Sequence, residues 1–368
     1  MRVKAHKQLP PYHRGMDTLI SPHRRTLLQA LACSAFLTAC GRSRLLAGSG
    51  LVEFNGLTMG STYRVHIVDD GIPSSVLQAA RVGVESALNA VDFAMSTHRP
   101  QSELSQFNRH ALDSAYPLSA DMADILALSA RFSELTNGAF DVTVGPVVDA
   151  WGFGGCRHRR IVGDEERRLL ERTIGWRKLV VDSDARTATK ADPSLRADLS
   201  GIAKGYGVDK AAQVLDMLGV RHYLIDTGGE VRTKGTNAEG KTWQVAIEQP
   251  EPGARRPRFV VPLSGMAIAT SGDYRIFFEQ DGRRFCHEIN PATGLPIDNH
   301  LASVSVIAAT GAEADALGKL IVLGLDRGYA LATSQNIAAH FITRNADGSL
   351  RDVMTPAFQA LGGAPYMA

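Results

Sequence analysis

Cysteine is scarce in this chain: four in 368 residues. A disulfide-stapled fold packs far more of them into far less chain, so that class is excluded. An excess of one charge is also lacking, because 40 Lys and Arg face 38 Asp and Glu, a formal net charge of +2. Nucleic-acid binding selects a large basic surplus, and none is present. The apolar stretch at residues 26–39 falls short of the roughly 20 residues that span a bilayer. There is no GxSxG elbow, no HExxH, no GxxxxGK[ST] loop and no GxGxxG after a strand, which removes the commonest hydrolase, zinc-protease and nucleotide-loop readings. Asp226-Thr227-Gly228 has the look of an aspartic-protease triplet, but that chemistry needs a second matching triplet and none exists. Internal repeats and low-complexity segments are absent too.

What is present is ordinary globular composition, 44% hydrophobic and 21% charged, together with 35 glycines. The length suits two domains or one elaborate domain. So much glycine implies many tight turns and places where backbone closely approaches something. The small positive charge sits at the front. Residues 1–39 carry six basic residues and one acidic, leaving 34 basic against 37 acidic and a net of −3 for the remainder.

That front segment reads as an export signal: Arg24-Arg25, the short apolar run TLLQALACSAFLTA, then small residues before Cys40. The paired arginines suggest the twin-arginine route, and Leu37-Thr38-Ala39-Cys40 resembles a lipobox that would make Cys40 a lipidated N-terminus. A plain cleaved signal or a buried helix is the blander reading, and Met16 is an alternative start. The domain plan is therefore a signal over 1–39, a linker over 40–50 and one folded domain over 51–368. Cys156 and Cys286 remain in that domain, and two positions alone do not define a disulfide.

Along the domain, alternation predicts a strand over Tyr63–Val68, and helical spacing predicts a helix over Ser74–Asn89 with Ser74 or Ser75 at its N-cap. A second helix is expected over Asp121–Thr136, capped by Ser119 and stopped by Asn137-Gly138. The charged stretch 155–175, with its basic run at 157–160, reads as peripheral. Strands are expected at Leu179–Asp182, His222–Asp226, Trp243–Glu248, Arg258–Leu263, Met266–Ala269 and Ser303–Ile307. Helices are expected over Ala203–Leu218, and over Ala312–Leu323 with a break at Gly324. Strands cluster as well as neighbouring helices, so the fold class expected is α+β with largely antiparallel sheet, not a doubly wound parallel fold.

Five segments combine unusual local order with reactive groups. They are TMGSTY (Thr58–Tyr63), MSTHRPQSELSQFN (Met95–Asn108), GAFDVTVGPVVDAWGFG (Gly138–Gly154), DLSGIAKGYGVD (Asp198–Asp209), and a fifth running from ATSGDY at Ala269 through HEINPATGLPI (His287–Ile297) to ADALGKLIVLG (Ala314–Gly324). Their order and spacing resemble the ApbE family, the flavin transferases that move FMN from FAD to a Thr or Ser hydroxyl of a target protein, releasing AMP with Mg²⁺. The resemblance covers nearly all of residues 55–330. It implies the family's T-fold-like architecture with a central FAD cleft. In physical terms the reaction is phosphoryl transfer at a pyrophosphate, which asks for cationic charge on the phosphates, a base near the hydroxyl and a grip on FAD.

Residue by residue, the resemblance implies that Asp198 and Lys204 contact FAD at the start of a glycine-bearing helix, a location suited to phosphate. Asp198 or Ser200 acting as a plain helix cap is the alternative. Asp315 would be the main Mg²⁺ ligand, helped by the Gly201 carbonyl. The family's usual Thr four residues after that Asp is Lys319 here; as an i, i+4 neighbour Lys319 is expected to reach Asp315, either as a common salt bridge or as a replacement for part of the metal's charge. His287 is expected to be the base, with Asp315 next to suspect. Met59, Ala139, Phe140, Asp141 and Ile289 match the family's flavin and adenine contacts, His98 stands where an aromatic is usual, and Asp226 and Glu230 are supporting loop residues. The whole implies an exported, periplasmic, lipid-anchored enzyme whose partners are FAD and a membrane-associated flavin-carrying redox protein, with no nucleic acid. Twin-arginine export is similar to the members serving nitrous-oxide respiration. An FAD pyrophosphatase and a non-catalytic flavin-binding lipoprotein are the competing readings.

Overall fold

Antiparallel pairing dominates the computed structural model, which describes residues 44–45, 50–110, 114–154, 158–253 and 255–367. These residues fall in one structural unit, Ser43–Ala368. The export signal, the lipobox with Cys40 and the thiol of Cys156 lie outside the described residues. Among the described residues the largest sheet has nine strands, and their spatial order follows the chain. They are β1 (Arg44–Leu45), β2 (Leu51–Thr58), β3 (Ser61–Val68), β4 (Tyr223–Thr227), β5 (Glu230–Lys234), β6 (Ala267–Gly272), β7 (Leu301–Ala308), β8 (Ala338–Arg344) and β9 (Leu350–Met354). Every neighbouring pair is antiparallel, with Phe54 opposite Val65 and Val65 opposite Ile225. The fold class is α+β, as the sequence implied.

Helices cover one face. α1 (Ser74–Met95) runs a turn and a half beyond the expected Asn89, and Pro73 rather than a serine precedes it, with no side-chain cap. Its extra turns are stabilised by burial of Val91 and Met95, which local propensity does not report. α2 (Ala120–Leu135) begins as read, with the Ser119 side chain accepting from the Met122 N–H, and it ends where Asn137 and Gly138 take positive φ. α3 (Ala203–Met217) packs on α1 so closely that Gly83 leaves room for Val214 and nothing more. Phe54, Val65, Leu88, Val208, Leu215 and Ile225 fill the space between these helices and the first strands. Each such side chain, fully removed from water, contributes roughly 1.5–3 kcal/mol.

The expected helix over Ala312–Leu323 is two helices. α4 (Gly311–Leu317) ends at Gly318, and Lys319 stands outside helical geometry as the N-cap of α5 (Leu320–Ser334). The break therefore comes five residues earlier than Gly324, which is a kink inside α5 with φ of 76°. The strand β7 is longer than Ser303–Ile307 and is buried along its whole length. Its Val304 and Val306 face the helices. Ile307 packs with a three-stranded sheet that includes Trp243–Glu248 and Pro257–Leu263. Ser305 on β7 is not solvated but bonded to Thr270 at 2.8 Å. Among the described residues no helix is long and apolar enough to cross a membrane.

Candidate active site

Four of the five segments converge on one cavity. Its volume is about 630 Å³, and its lining includes Phe140, Asp198, Lys204, His287 and Asp315. That volume is in the range of small-molecule and cofactor sites.

The first wall is the loop after α2. The Phe140 N–H donates to Thr136 Oγ1 at 3.0 Å, so the left-handed turn at Asn137-Gly138 aims Ala139 and Phe140 into the cavity. Asp141 lines it as well, but its oxygens are engaged locally: they accept from the Thr143 N–H and hydroxyl at 2.8 and 2.6 Å and from the Trp176 N–H at 3.0 Å. Burial nevertheless holds that carboxyl above its ordinary value. Here Asp141 is first of all the anchor of the loop.

The second wall is the stretch 198–204. Asn108, the last residue of its segment, grips Ala197 through two 2.8 Å bonds, one to the carbonyl and one from the N–H. Asp198 then accepts from the Ser200 N–H at 2.8 Å. Neither Asp198 nor Ser200 caps α3, whose N-cap is Ile202 with no side-chain partner. This removes the plain-cap reading and leaves Asp198, Ser200 and Gly201 facing the cavity. Lys204 follows in the first turn of α3.

The third element is the tight turn of β4 and β5. Gly228 and Gly229 both have positive φ, and the Gly229 N–H donates to Asp226 Oδ1 at 2.9 Å. The turn delivers Glu230, 4% exposed, to Lys204 at 2.5 Å. Asp315 stands 3.9 Å from the same ammonium. Burial works against charge on Lys204, but Asp315 and Glu230 overcome it and hold its pKa above the ordinary value. The Glu230 pKa is raised too, to about 7, toward its neutral form, because burial and Asp315 outweigh Lys204. Asp315 itself accepts from the Gly205 N–H at 3.0 Å, and it can do so because Gly205 lies directly on the Gly311 backbone. Asp209 closes the same joint by accepting from the Gly311 and Ala312 N–H groups at 2.8 and 3.0 Å.

The fourth wall carries His287, Glu288 and Ile289. The turn at Asn290 is fixed by its own side chain, which accepts from the Ala292 N–H at 3.0 Å. Trp151 donates to the Gly294 carbonyl at 2.9 Å and Arg167 to the Thr293 carbonyl at 2.8 Å. The charged stretch expected to be peripheral thus braces the site. Burial lowers the His287 pKa below its ordinary value, with Glu288 pulling against it. His287 Nε2 lies 3.6 Å from Glu288, and its Nδ1 is buried without a hydrogen-bond partner. Next to it the Cys286 thiol is buried and pushed up to about 12.

Two expectations change. Lys319 does not turn to Asp315, because the helix break between them cancels the i, i+4 relation; it pairs with Glu288 at 2.6 Å. Met59 is not among the cavity-lining residues: its thioether packs against Gly207, in the core between the helices. His98, Ala139, Ile289 and Gly201 do line the cavity. Glu288 and Glu230 are the residues that sequence reasoning undervalued. Each lies within a quoted or noted run, HEINPATG and DTGGE, and an acid in a run otherwise built of turn formers was the available signal.

Among the described residues no group of three or more His, Cys, Asp or Glu could hold a metal alone. The Asp315 carboxylate and the Gly201 carbonyl are nonetheless the hard oxygens Mg²⁺ takes, and Mg²⁺ is commonly held by one or two such groups with substrate phosphates supplying the rest.

Comparison with known proteins gives the same picture. The chain is 42% identical over 326 residues to the FAD:protein FMN transferase of Haemophilus influenzae, spanning 87% of this chain and 92% of that one. It is 38% identical to the FAD:protein FMN transferase of Vibrio cholerae, over 88% of this chain and 95% of the relative. The solved flavin transferase ApbE from Vibrio cholerae superposes with a TM-score of 0.77 at 36% identity, covering 84% of this chain and 99% of that chain. The apo flavinyl transferase ApbE of Pseudomonas stutzeri gives 0.75 at 37%, covering 84% and 96%. Residues 59–341 match the ApbE family, and this chain belongs to it.

Proposed function

We propose that this protein transfers FMN from FAD to a hydroxyl of an acceptor protein. The observation that carries the reading is one cavity lined both by a cation fixed between two acids, Lys204 with Glu230 and Asp315, and by His287. The relatives' names supply the substrate class.

In this reading Lys204 and the N-terminus of α3 take the charge of the FAD pyrophosphate, while the walls at Ala139, Phe140, Ile289 and His98 receive the ring systems. Asp198 holds the loop around the phosphates. His287, as a neutral imidazole, accepts the proton of the acceptor Thr or Ser hydroxyl. The hydroxyl oxygen forms a bond to the phosphorus of the FMN half, the bridging P–O bond breaks, and AMP departs with the bridging oxygen and its electron pair. Asp315 and the Gly201 carbonyl would hold Mg²⁺, which when bound supplies positive charge to the phosphate oxygens. In this reading the Arg24-Arg25 leader directs export, Cys40 carries the lipid anchor, and the acceptor is a membrane-associated flavin-carrying redox protein.

The test is intact mass of a candidate acceptor after incubation with this protein and FAD. A gain of one FMN supports transfer. Free FMN and AMP with no gain would mean that water takes the hydroxyl's place, and FAD bound but unchanged would mean storage.

A further inference from the structure

We propose that Lys319 is a second phosphate-binding cation of the cavity, presented by Glu288; this rests on the reading of the cavity as a dinucleotide site. Lys319 sits at the joint of α4 and α5, outside helical geometry, so its side chain leaves the Asp315 face. Its stem crosses Gly201. A Cβ placed on Gly201 would lie 3.0 Å from Lys319 Cε and 3.8 Å from Nζ. Lys204 follows Gly201 by three residues, and both lysines line the same cavity as Gly201.

Glu288 fixes the second of them. Its side chain is 2% exposed, with one oxygen 2.6 Å from Lys319 and the other 3.6 Å from His287. Burial alone would raise the Glu288 pKa, but Lys319 and His287 reverse that and hold it ionised. An ammonium has three donors, and Glu288 takes one. The remaining donors belong to a group that lines the cavity with 21% of its side chain exposed. A salt bridge that merely neutralised Glu288 would not need to stand against Gly201.

The experiment is equilibrium binding of three probes, inorganic pyrophosphate, FAD and riboflavin, to the full chain and to Lys319→Met, Lys319→Arg and Glu288→Gln, with folding checked by thermal melts. Lys319→Met should weaken pyrophosphate and FAD about tenfold, the loss of a hydrogen bond to a charged group, and leave riboflavin unchanged. Lys319→Arg should recover most of the loss. Glu288→Gln keeps the cation and should bind pyrophosphate at least as tightly as the natural chain. Equal affinities in Lys319→Met would overturn the proposal, as would a loss in Glu288→Gln as large as that in Lys319→Met. Should Lys319→Met fail to fold, Glu288→Gln decides alone: pyrophosphate bound at least as tightly as by the natural chain supports the proposal, and a loss of about tenfold overturns it. Pyrophosphate bound in a Lys319-dependent way without FAD would sink the transferase reading and keep this one; FAD bound without dependence on Lys319 would do the reverse. A natural chain that binds neither overturns both.

Discussion

The Lys204 ammonium stands 2.5 Å from Glu230, an acid with 5% of its side chain exposed, and so the cation of the cavity is held by a group that water does not reach. Removing one partner strands the other. Lys204→Met should cost about 3 kcal/mol of stability, as an unpaired buried carboxylate does, and should abolish FAD binding. Adding Glu230→Gln should restore much of the stability and none of the binding. Denaturant titration with FAD fluorescence on both variants checks this, and a Lys204→Met variant with unchanged FAD affinity would contradict it.

Acid should silence transfer through His287. Its pKa lies below 6.5 because it is buried, so the folded chain releases this proton at a lower pH than the unfolded chain does. The neutral base is fully present above 6.5 and is lost as pH falls through the folded value. The same group's contribution to stability fades in the same direction. A rate profile flat across neutral pH with an acid limb below 6.5 is expected, and His287→Gln should lose transfer at every pH while still binding FAD. A limb that remains in that variant would assign the titration to another group.

Gly205 is a packing requirement with a catalytic consequence. A Cβ there would come within 2.1 Å of the Gly311 carbonyl oxygen, which is backbone and does not yield. Gly205→Ala should cost at least about 2 kcal/mol and, by parting α3 from α4, should draw Asp315 away from Lys204. Activity should therefore fall in variant molecules that remain folded, measured below the melting transition.

Asp315→Asn should cut transfer roughly 100-fold, the scale of removing one preorganised electrostatic group from an active site, while leaving the fold intact. Chelator should reduce transfer by the natural chain and have little further effect on this variant. Equal chelator sensitivity in both would take Asp315 out of metal binding.

Much of this site was legible in sequence because its parts are local. The Ser119 cap, the Asn137-Gly138 stop, the glycine pair at Gly228-Gly229 and the turn after His287 each follow from residues within a few positions of one another. Four of the five segments then proved to face one cavity. What failed depended on tertiary contact. Helix periodicity points Lys319 at Asp315, and the break at the Gly318–Lys319 joint redirects it to Glu288, 31 positions away in the chain. The strand expected at Ser303–Ile307 is longer and buried on both faces, because a second sheet packs against its Ile307 side. Met59 carries a positive φ at a turn, which points its side chain into the helix core and not toward the cavity.

The measurement that bears most directly on the central claim is the intact mass of a flavin-carrying membrane redox subunit incubated with this protein, FAD and Mg²⁺. The expected result is a gain of one FMN on a Thr or Ser, AMP released in equal amount, and no gain with His287→Gln. Consumption of FAD without any gain in acceptor mass, or an equal gain with His287→Gln, would contradict it.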